Sequence, residues 1–467
     1  MNLKVKFHAL THSWRPELIA LIAAAALTRL WSLFTPNAVV FDEVYFKAFA
    51  AHYLDHRYYF DIHPPLGKLL LAGLAHLLGL QPTVLLDGTA VGLRLLPAVA
   101  GILLVPLTWG LLRRLGASRP FAFLGAAAIL LDNALTVESR FILMDSTLLL
   151  CGLGALYCYL RARGTSATSW RWIWLTTAAL SAGAAASIKW TGLTALALIG
   201  LVWLWDQPRL TISWQTRLAE LAILALVPPL VYVSTFWLHF QLLPDSGDGD
   251  AFMSSGFQAT LIGNPNYDPH AHLSFTDKFI QLNQEMYNAN KTLSATHPYG
   301  SHWYTWPLEQ RPIYYWEGDD QANGRQGNIY LLGNPIIWWG IWIALATGLA
   351  YAYVRSRKLR PATVAALAIT GTAYLMNLLP FVTVSRVMFL YHYFFSFVFS
   401  LMSAVLLWND LAANPKHPVL QRRSHRYIYG AVLLAILAGF LFFAPLTYGT
   451  PLSPDGMQAR MWLPSWR

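Results

Sequence analysis

Runs of about 18 or more mostly apolar residues recur along almost the whole chain, and this decides the class of fold. Hydrocarbon offers a peptide N–H or C=O no partner, so a chain crossing it repeatedly in such runs does so as α-helices. Charged residues make up only 12% of the sequence, about half the share usual in soluble domains. The run near 17–35 is too long for a signal-peptide core and lacks a small-residue cleavage site, so it is expected to persist as a helix. The reading is an all-α polytopic membrane protein of about eleven helices, starting near residues 17, 90, 120, 141, 172, 190, 218, 335, 362, 387 and 428.

The net charge of +10 is explained by topology. Cations collect in alternate connections: Lys4, Lys6 and Arg15; Arg113, Arg114 and Arg119; Arg161, Arg163 and Arg171; Arg209 and Arg217; "RSRKLR" at 355–360; and Lys416, Arg422, Arg423 and Arg426. That alternation predicts a cytoplasmic N-terminus and an external C-terminus, and needs no nucleic acid. Cys151 and Cys158, seven residues apart in one helical run, are about 10 Å apart along the axis, too far for a disulfide.

Three regions follow: a transmembrane module over 1–238 whose first external loop spans 36–80, an external element over 239–334, and a second transmembrane module over 335–467. The element carries ten acidic residues and is too long for a plain connection, so a small folded unit or lid is expected. Its amphipathic piece 274–293 suits a membrane surface, and 66–79 is too short to span. No internal repeat is visible.

The first external loop holds the densest ionisable cluster. Asp42 and Glu43 follow the apolar "NAVVF", at a depth where carboxylates are costly. His63, Pro64 and Pro65 force a sharp return toward the membrane, Lys68 follows, and Arg94 stands inside the next run. An acid to accept a proton beside cations to hold an anion suits one reaction on the outer face. A hydroxyl attacks a lipid-linked phosphosugar, whose phosphate leaves without a general acid. Direct displacement inverts the sugar carbon and needs only one carboxylate. His52, His56 and His63 with Asp42, Asp55 or Asp61 are the candidate metal set, but their spacing is only permissive and no cofactor is called for.

"FDEVYFKAFA" (41–50) and "YYFDIHPPLGKLLLA" (58–72) resemble the first luminal loop of the protein O-mannosyltransferases, glycosyltransferase family 39, of GT-C architecture. "ESRFILMDSTLLL" (138–150), "SIKWTGL" (187–193), "WYTWPLEQRPIYYW" (303–316), "IYLLGNPIIWW" (329–339) and "SRVMFLYHYFFSF" (385–397) agree in order. Eukaryotic members carry a β-trefoil MIR domain in the long external loop. The element 239–334 has no room for one, as in the bacterial branch.

The resemblance implies an inverting transfer of mannose from a polyprenyl phosphate to Ser/Thr of exported proteins, at the outer face of a bacterial inner membrane. Asp42 would be the base, and Glu43 would orient sugar or acceptor. Arg94, Lys68, Lys189, Arg386, His392, Arg140 and Asp145 match motifs on the donor phosphate and sugar side. Arg140 and Lys189 also suit plain interfacial anchors. Trp303, Trp306 and Arg311, with Trp316, are candidate acceptor or lipid contacts. The alternatives are a GT-C transferase acting on a lipid or glycan, as aminoarabinose transferases do, and a lipid-linked-sugar transporter. A transporter should show repeats and midplane charges.

Overall fold

The computed structural model describes residues 16–165, 168–207, 212–319, 324–413 and 423–467. Lys4, Lys6, Arg15, Arg209, Lys416 and Arg422 of the cation pattern lie outside them. After α1 (Pro16–Leu30), three short helices fill the first long connection: α2 (Glu43–Leu54), α3 (Leu66–Leu77) and α4 (Pro82–Asp87). The chain returns through α5 (Leu95–Arg114), α6 (Arg119–Leu130), α7 (Asn133–Glu138), α8 (Asp145–Arg163), α9 (Thr168–Ile188), α10 (Leu193–Asp206) and α11 (Trp214–Leu242). The long connection holds α12 (Ser255–Gln258), α13 (Phe275–Thr292) and the strands β1 (Ile313–Glu317) and β2 (Asn328–Leu331). Then come α14 (Pro335–Val354), α15 (Pro361–Leu378), α16 (Phe394–Ala412), α17 (Arg423–Tyr448) and α18 (Pro454–Gln458).

A helix begins near each start read from the sequence. Among the described residues, six helical segments are individually long and apolar enough to cross a membrane: 91–114, 214–242, 335–354, 361–383, 390–412 and 426–448. Local chemistry sets several ends. Asp132 caps α7 by accepting from the Leu135 N–H at 2.9 Å, Asn334 caps α14 at Ile336, and prolines open α4, α6, α14 and α15. At 12 residues α3 is about 18 Å long, too short to cross. The span that contains α16 is 89% buried, so the other helices wrap it, and its serines at 396, 400 and 403 bond backbone or Thr370 within that core. The outer spans α11, α14 and α17 are only 22% buried and turn apolar surface outward.

The described cation-rich connections gather at one end. There Arg163 pairs with Asp206 at 2.7 Å, Arg171 with Glu220 and Arg360 with Asp410, while Arg357 donates to the Leu411 carbonyl at 2.7 Å. The loop over 36–80, the long connection over 239–334 and the C-terminal segment meet at the other end. Tyr58 N–H donates to the Asp245 carbonyl at 2.7 Å and Asn290 to the Ile62 carbonyl at 2.9 Å. Arg311 reaches the Ser465 carbonyl at 2.7 Å, and the Trp466 indole the Glu309 carbonyl at 2.6 Å. The connection is therefore folded onto the first loop. α13 turns Leu282 and Met286 into a shared core with Tyr53, Tyr58 and Phe236, leaving Ile280 and Tyr287 exposed. Both cysteines are free.

Candidate active site

Glu43 and Asp42, neighbours in sequence, have opposite surroundings. Glu43 is fully buried. It receives Arg94 through Nε at 2.7 Å and Nη2 at 2.8 Å, and the N–H groups of Val40 and Ile142, both at 2.9 Å. Arg94, also fully buried, donates further to the carbonyls of Leu33, Pro36 and Ala38 and lies 4.8 Å over the Phe141 ring. Five hydrogen bonds use the whole donor fork of a guanidinium. The pair thus pins the ascending strand of the loop to α5 and α8's approach, and it has no donor to offer a phosphate. Of the two roles the family motif allows Arg94, organising the loop or the phosphate, these contacts are the first, and Glu43 is wholly engaged by Arg94 and two backbone N–H groups.

Asp42 opens α2 as its N-cap residue without a side-chain capping bond. Its carboxylate makes no hydrogen bond among the described residues. Burial lifts its pKa to about 6 from the usual carboxylate range; Lys189 opposes this, while Asp145 and Asp61 add to it. Phe41 before it has φ +50°, in the left-handed region that bulky residues avoid.

Around Asp42 the charges come in pairs. Lys68 on α3 donates to Asp61 and to the His63 carbonyl. Lys189, in the break between α9 and α10, holds Asp145 of α8 at 2.5 Å and lies 5.1 Å over the Tyr391 ring. A small pocket is lined by Phe46, Asp61, His63, Pro64, Gly67, Lys68, Met144, Ile188 and Lys189. Asp42 is outside that lining but feels the charges of its Asp61 and Lys189. Gly67 permits the close packing, since a Cβ there would stand 2.8 Å from the Met144 Sδ. Burial holds His63 neutral, with its pKa pushed down to about 3. Arg386 is half-buried and makes no ion pair or hydrogen bond among the described residues; its charge acts on His63 and Tyr391. Lys189, though paired with Asp145, is the cation whose charge acts on Asp42, and Arg386, whose charge reaches His63, is the arginine of this set without an ion pair or hydrogen bond among the described residues.

Other sequence candidates stand elsewhere. Arg140 donates to the carbonyls of Arg29, Trp31 and Ser32 and lies 4.6 Å over Tyr448, supporting the end of α1 instead of a phosphate. His392 opens α16's approach, its Nδ1 on the Phe389 backbone and its ring between Trp306 at 5.9 Å and Tyr391 at 4.6 Å. Trp306 is fully buried and bonds Ser301, so it is packing and not a surface for lipid or acceptor. Trp303 is half-buried against the same core. Arg311 is engaged with the Pro298, Ser465 and Arg467 carbonyls. His52 lies 3.8 Å from Asp248 and His56 bonds the Leu242 carbonyl, apart from His63. Among the described residues no group of three His, Cys, Asp or Glu side chains is arranged to hold a metal.

Glu138 and Tyr315 belong to the site and were not singled out in the sequence. The Tyr315 phenol donates to Glu138 Oε2 at 2.9 Å in a buried contact. An acid inside "NALTVESRFIL" was the available signal. Asp61, named in the sequence only as a possible metal ligand, is instead the partner of Lys68.

The fold is that of the GT-C membrane glycosyltransferases. It superposes on the Saccharomyces cerevisiae protein O-mannosyltransferase Pmt1-Pmt2 complex bound to the sugar donor with a TM-score of 0.88, covering 99% of this chain and 94% of that one at 21% identity. ArnT from Cupriavidus metallidurans follows at 0.55, covering 92% and 76% at 17% identity. The family model for dolichyl-phosphate-mannose-protein mannosyltransferase matches residues 19–244, and that for the C-terminal four-helix region of protein O-mannosyltransferase matches 275–466. The chain belongs to the protein O-mannosyltransferase family. Dolichyl-phosphate-mannose–protein mannosyltransferase 4 of Candida albicans is 32% identical over 65% of this chain and 41% of its own length. Protein O-mannosyltransferase 1 of Drosophila pseudoobscura is 36% identical over 52% and 29%. The chain thus spans less than half the length of either relative.

Proposed function

We propose that the protein transfers mannose, with inversion, from a polyprenyl phosphate to Ser or Thr hydroxyls of exported polypeptides. The observation that carries this is Asp42: its half-buried carboxylate has no hydrogen-bond or ion-pair partner among the described residues, yet lies within the field of Lys189. In the proposed step Asp42 accepts the hydroxyl proton as the oxygen bonds the sugar's anomeric carbon. The bond from that carbon to the phosphate oxygen breaks, and its electron pair leaves with the lipid phosphate. Lys189 and Arg386 carry the charge released, so the chain's own cations and no metal are assigned this task. Glu43 and Arg94 act by holding the loop. The charge pattern favours an outward-facing site with the N-terminus in the cytoplasm, and the resemblance to the branch without a MIR domain suggests a bacterial inner membrane.

The test is purified protein in nanodiscs with a synthetic polyprenyl-phosphate mannose and a Ser/Thr peptide. Transfer is expected, and its loss in folded Asp42→Asn. Parental turnover in that variant, or mannose passing to lipid or glycan acceptors and never to peptide, would overturn the reading.

A further inference from the structure

Phe41 raises a question the mechanism leaves open: what holds a bulky residue in a left-handed backbone conformation immediately before the base? Such conformations persist only where the surroundings over-determine them. The Phe41 ring stacks on Tyr315, with centroids 4.3 Å apart and planes 8° from parallel, and meets Phe389 and His297 edge-on at 6.3 and 6.4 Å. Tyr315 stands on β1 of the outer hairpin. The register runs Tyr314 opposite Tyr330 and Trp316 opposite Ile329, so Tyr315 is the extra residue of a β-bulge. Bulges re-aim a side chain, and here it turns inward and is buried. Its phenol ends on Glu138, itself buried.

Glu138 faces Asp145, Lys189, Asp42 and the Tyr315 phenol. Lys189 is already paired with Asp145, and Lys68 with Asp61, so an ionised Glu138 would have no cation of its own among the described residues. Its Oε2 is held by the Tyr315 phenol at 2.9 Å instead.

We infer that Tyr315 and Glu138 are a positioning pair for the base. Glu138 fixes the Tyr315 ring, the ring clamps Phe41, and Phe41 sets Asp42 from the hairpin while the Glu43–Arg94 pair sets it from the other side. The inference rests on Asp42 being the base. Neither partner touches the reacting atoms.

The test is steady-state transfer with the full-length protein, a synthetic donor and a Ser/Thr peptide. Glu138→Gln keeps an acceptor oxygen for the phenol and is expected within about twofold of the parent; Glu138→Ala and Tyr315→Phe should lose roughly tenfold in kcat, and Tyr315→Leu on the order of a hundredfold. Donor KM should stay within about threefold in all four, and the acidic limb of the kcat profile should move in Tyr315→Leu and stay in Glu138→Gln. Thermal melts accompany each variant; should the Ala and Leu proteins fail to fold, the volume-keeping Gln and Phe variants carry the test. A Glu138→Gln protein as impaired as Glu138→Ala would mean that the acid itself takes part in chemistry. Parental kcat in Tyr315→Leu or Tyr315→Phe would remove the clamp. With Asp42→Asn inactive, either result overturns the pair alone, whereas an active Asp42→Asn overturns the base.

Discussion

Replacing Arg94 by Lys separates a loop-holding arginine from a donor-binding one. The guanidinium serves five acceptors: both Glu43 oxygens and the carbonyls of Leu33, Pro36 and Ala38. An ammonium has three donors at one point, so at least two of those acceptors lose their partner. Each buried loss costs about 1–3 kcal/mol, and removing the cation altogether about 3–5 kcal/mol. The lysine variant keeps the charge, so a destabilisation of roughly 2–4 kcal/mol follows. Because Asp42 directly precedes Glu43, freeing the pair also shifts the base, and a displacement near 1 Å costs on the order of a hundredfold in rate. Tryptophan fluorescence melts and initial transfer rates in nanodiscs read both effects. The expected result is a lower midpoint and a much lower kcat with donor KM little changed. A double Arg94→Leu, Glu43→Leu protein should regain much of the stability, since no charge is left buried alone, without regaining the rate. An unchanged melt and kcat with a raised donor KM would refute the reasoning and return Arg94 to the phosphate.

With burial lifting the Asp42 pKa to about 6 in the substrate-free protein, kcat/KM should rise about tenfold per pH unit below that value and level off above it, as a pH–rate profile will check. The same shift acts on stability. The folded pKa of about 6 lies above the ordinary 3.8, so the stabilisation is full below about pH 4 and lost as pH rises through 6. Asp42→Asn should therefore be inactive yet more stable than the parent at pH 7 by roughly 2–3 kcal/mol, a gap that closes in acid; equal melts throughout would contradict it. Lys189→Met should push the acidic limb of kcat/KM to higher pH, since Lys189 is the charge that lowers Asp42's pKa. Arg386→Gln should leave that limb and the melt in place and raise donor KM on the order of tenfold, because Arg386 breaks no internal bond when removed.

Helix positions were legible because hydrocarbon imposes long apolar runs, and "HPP" announced the turn into α3 as fixed φ angles should. The identity of the free carboxylate was not legible. Successive residues at a helix start point about 100° apart, so whether Asp42 or Glu43 enters the core depends on how α2 is rotated. Arg94, distant in sequence, decides that. The same holds for Lys68 with Asp61 and Lys189 with Asp145: the lysines were visible as costly charges, but their partners are set by packing. Arg140 looked like a ligand for the same reason and turned out to serve carbonyls at the end of α1. Tyr315 was hidden in an aromatic run, where only a bulge in register distinguishes it from its neighbours.

The contact between Lys189 and Asp145 has a kinetic corollary. A lysine already neutralised at 2.5 Å attracts a newly formed lipid phosphate less than a bare ammonium would. Under the proposed reaction the spent carrier gains negative charge while still beside Asp145, which repels it. The arrangement moderates retention, so the emptied lipid departs and the next glycosylated one can enter.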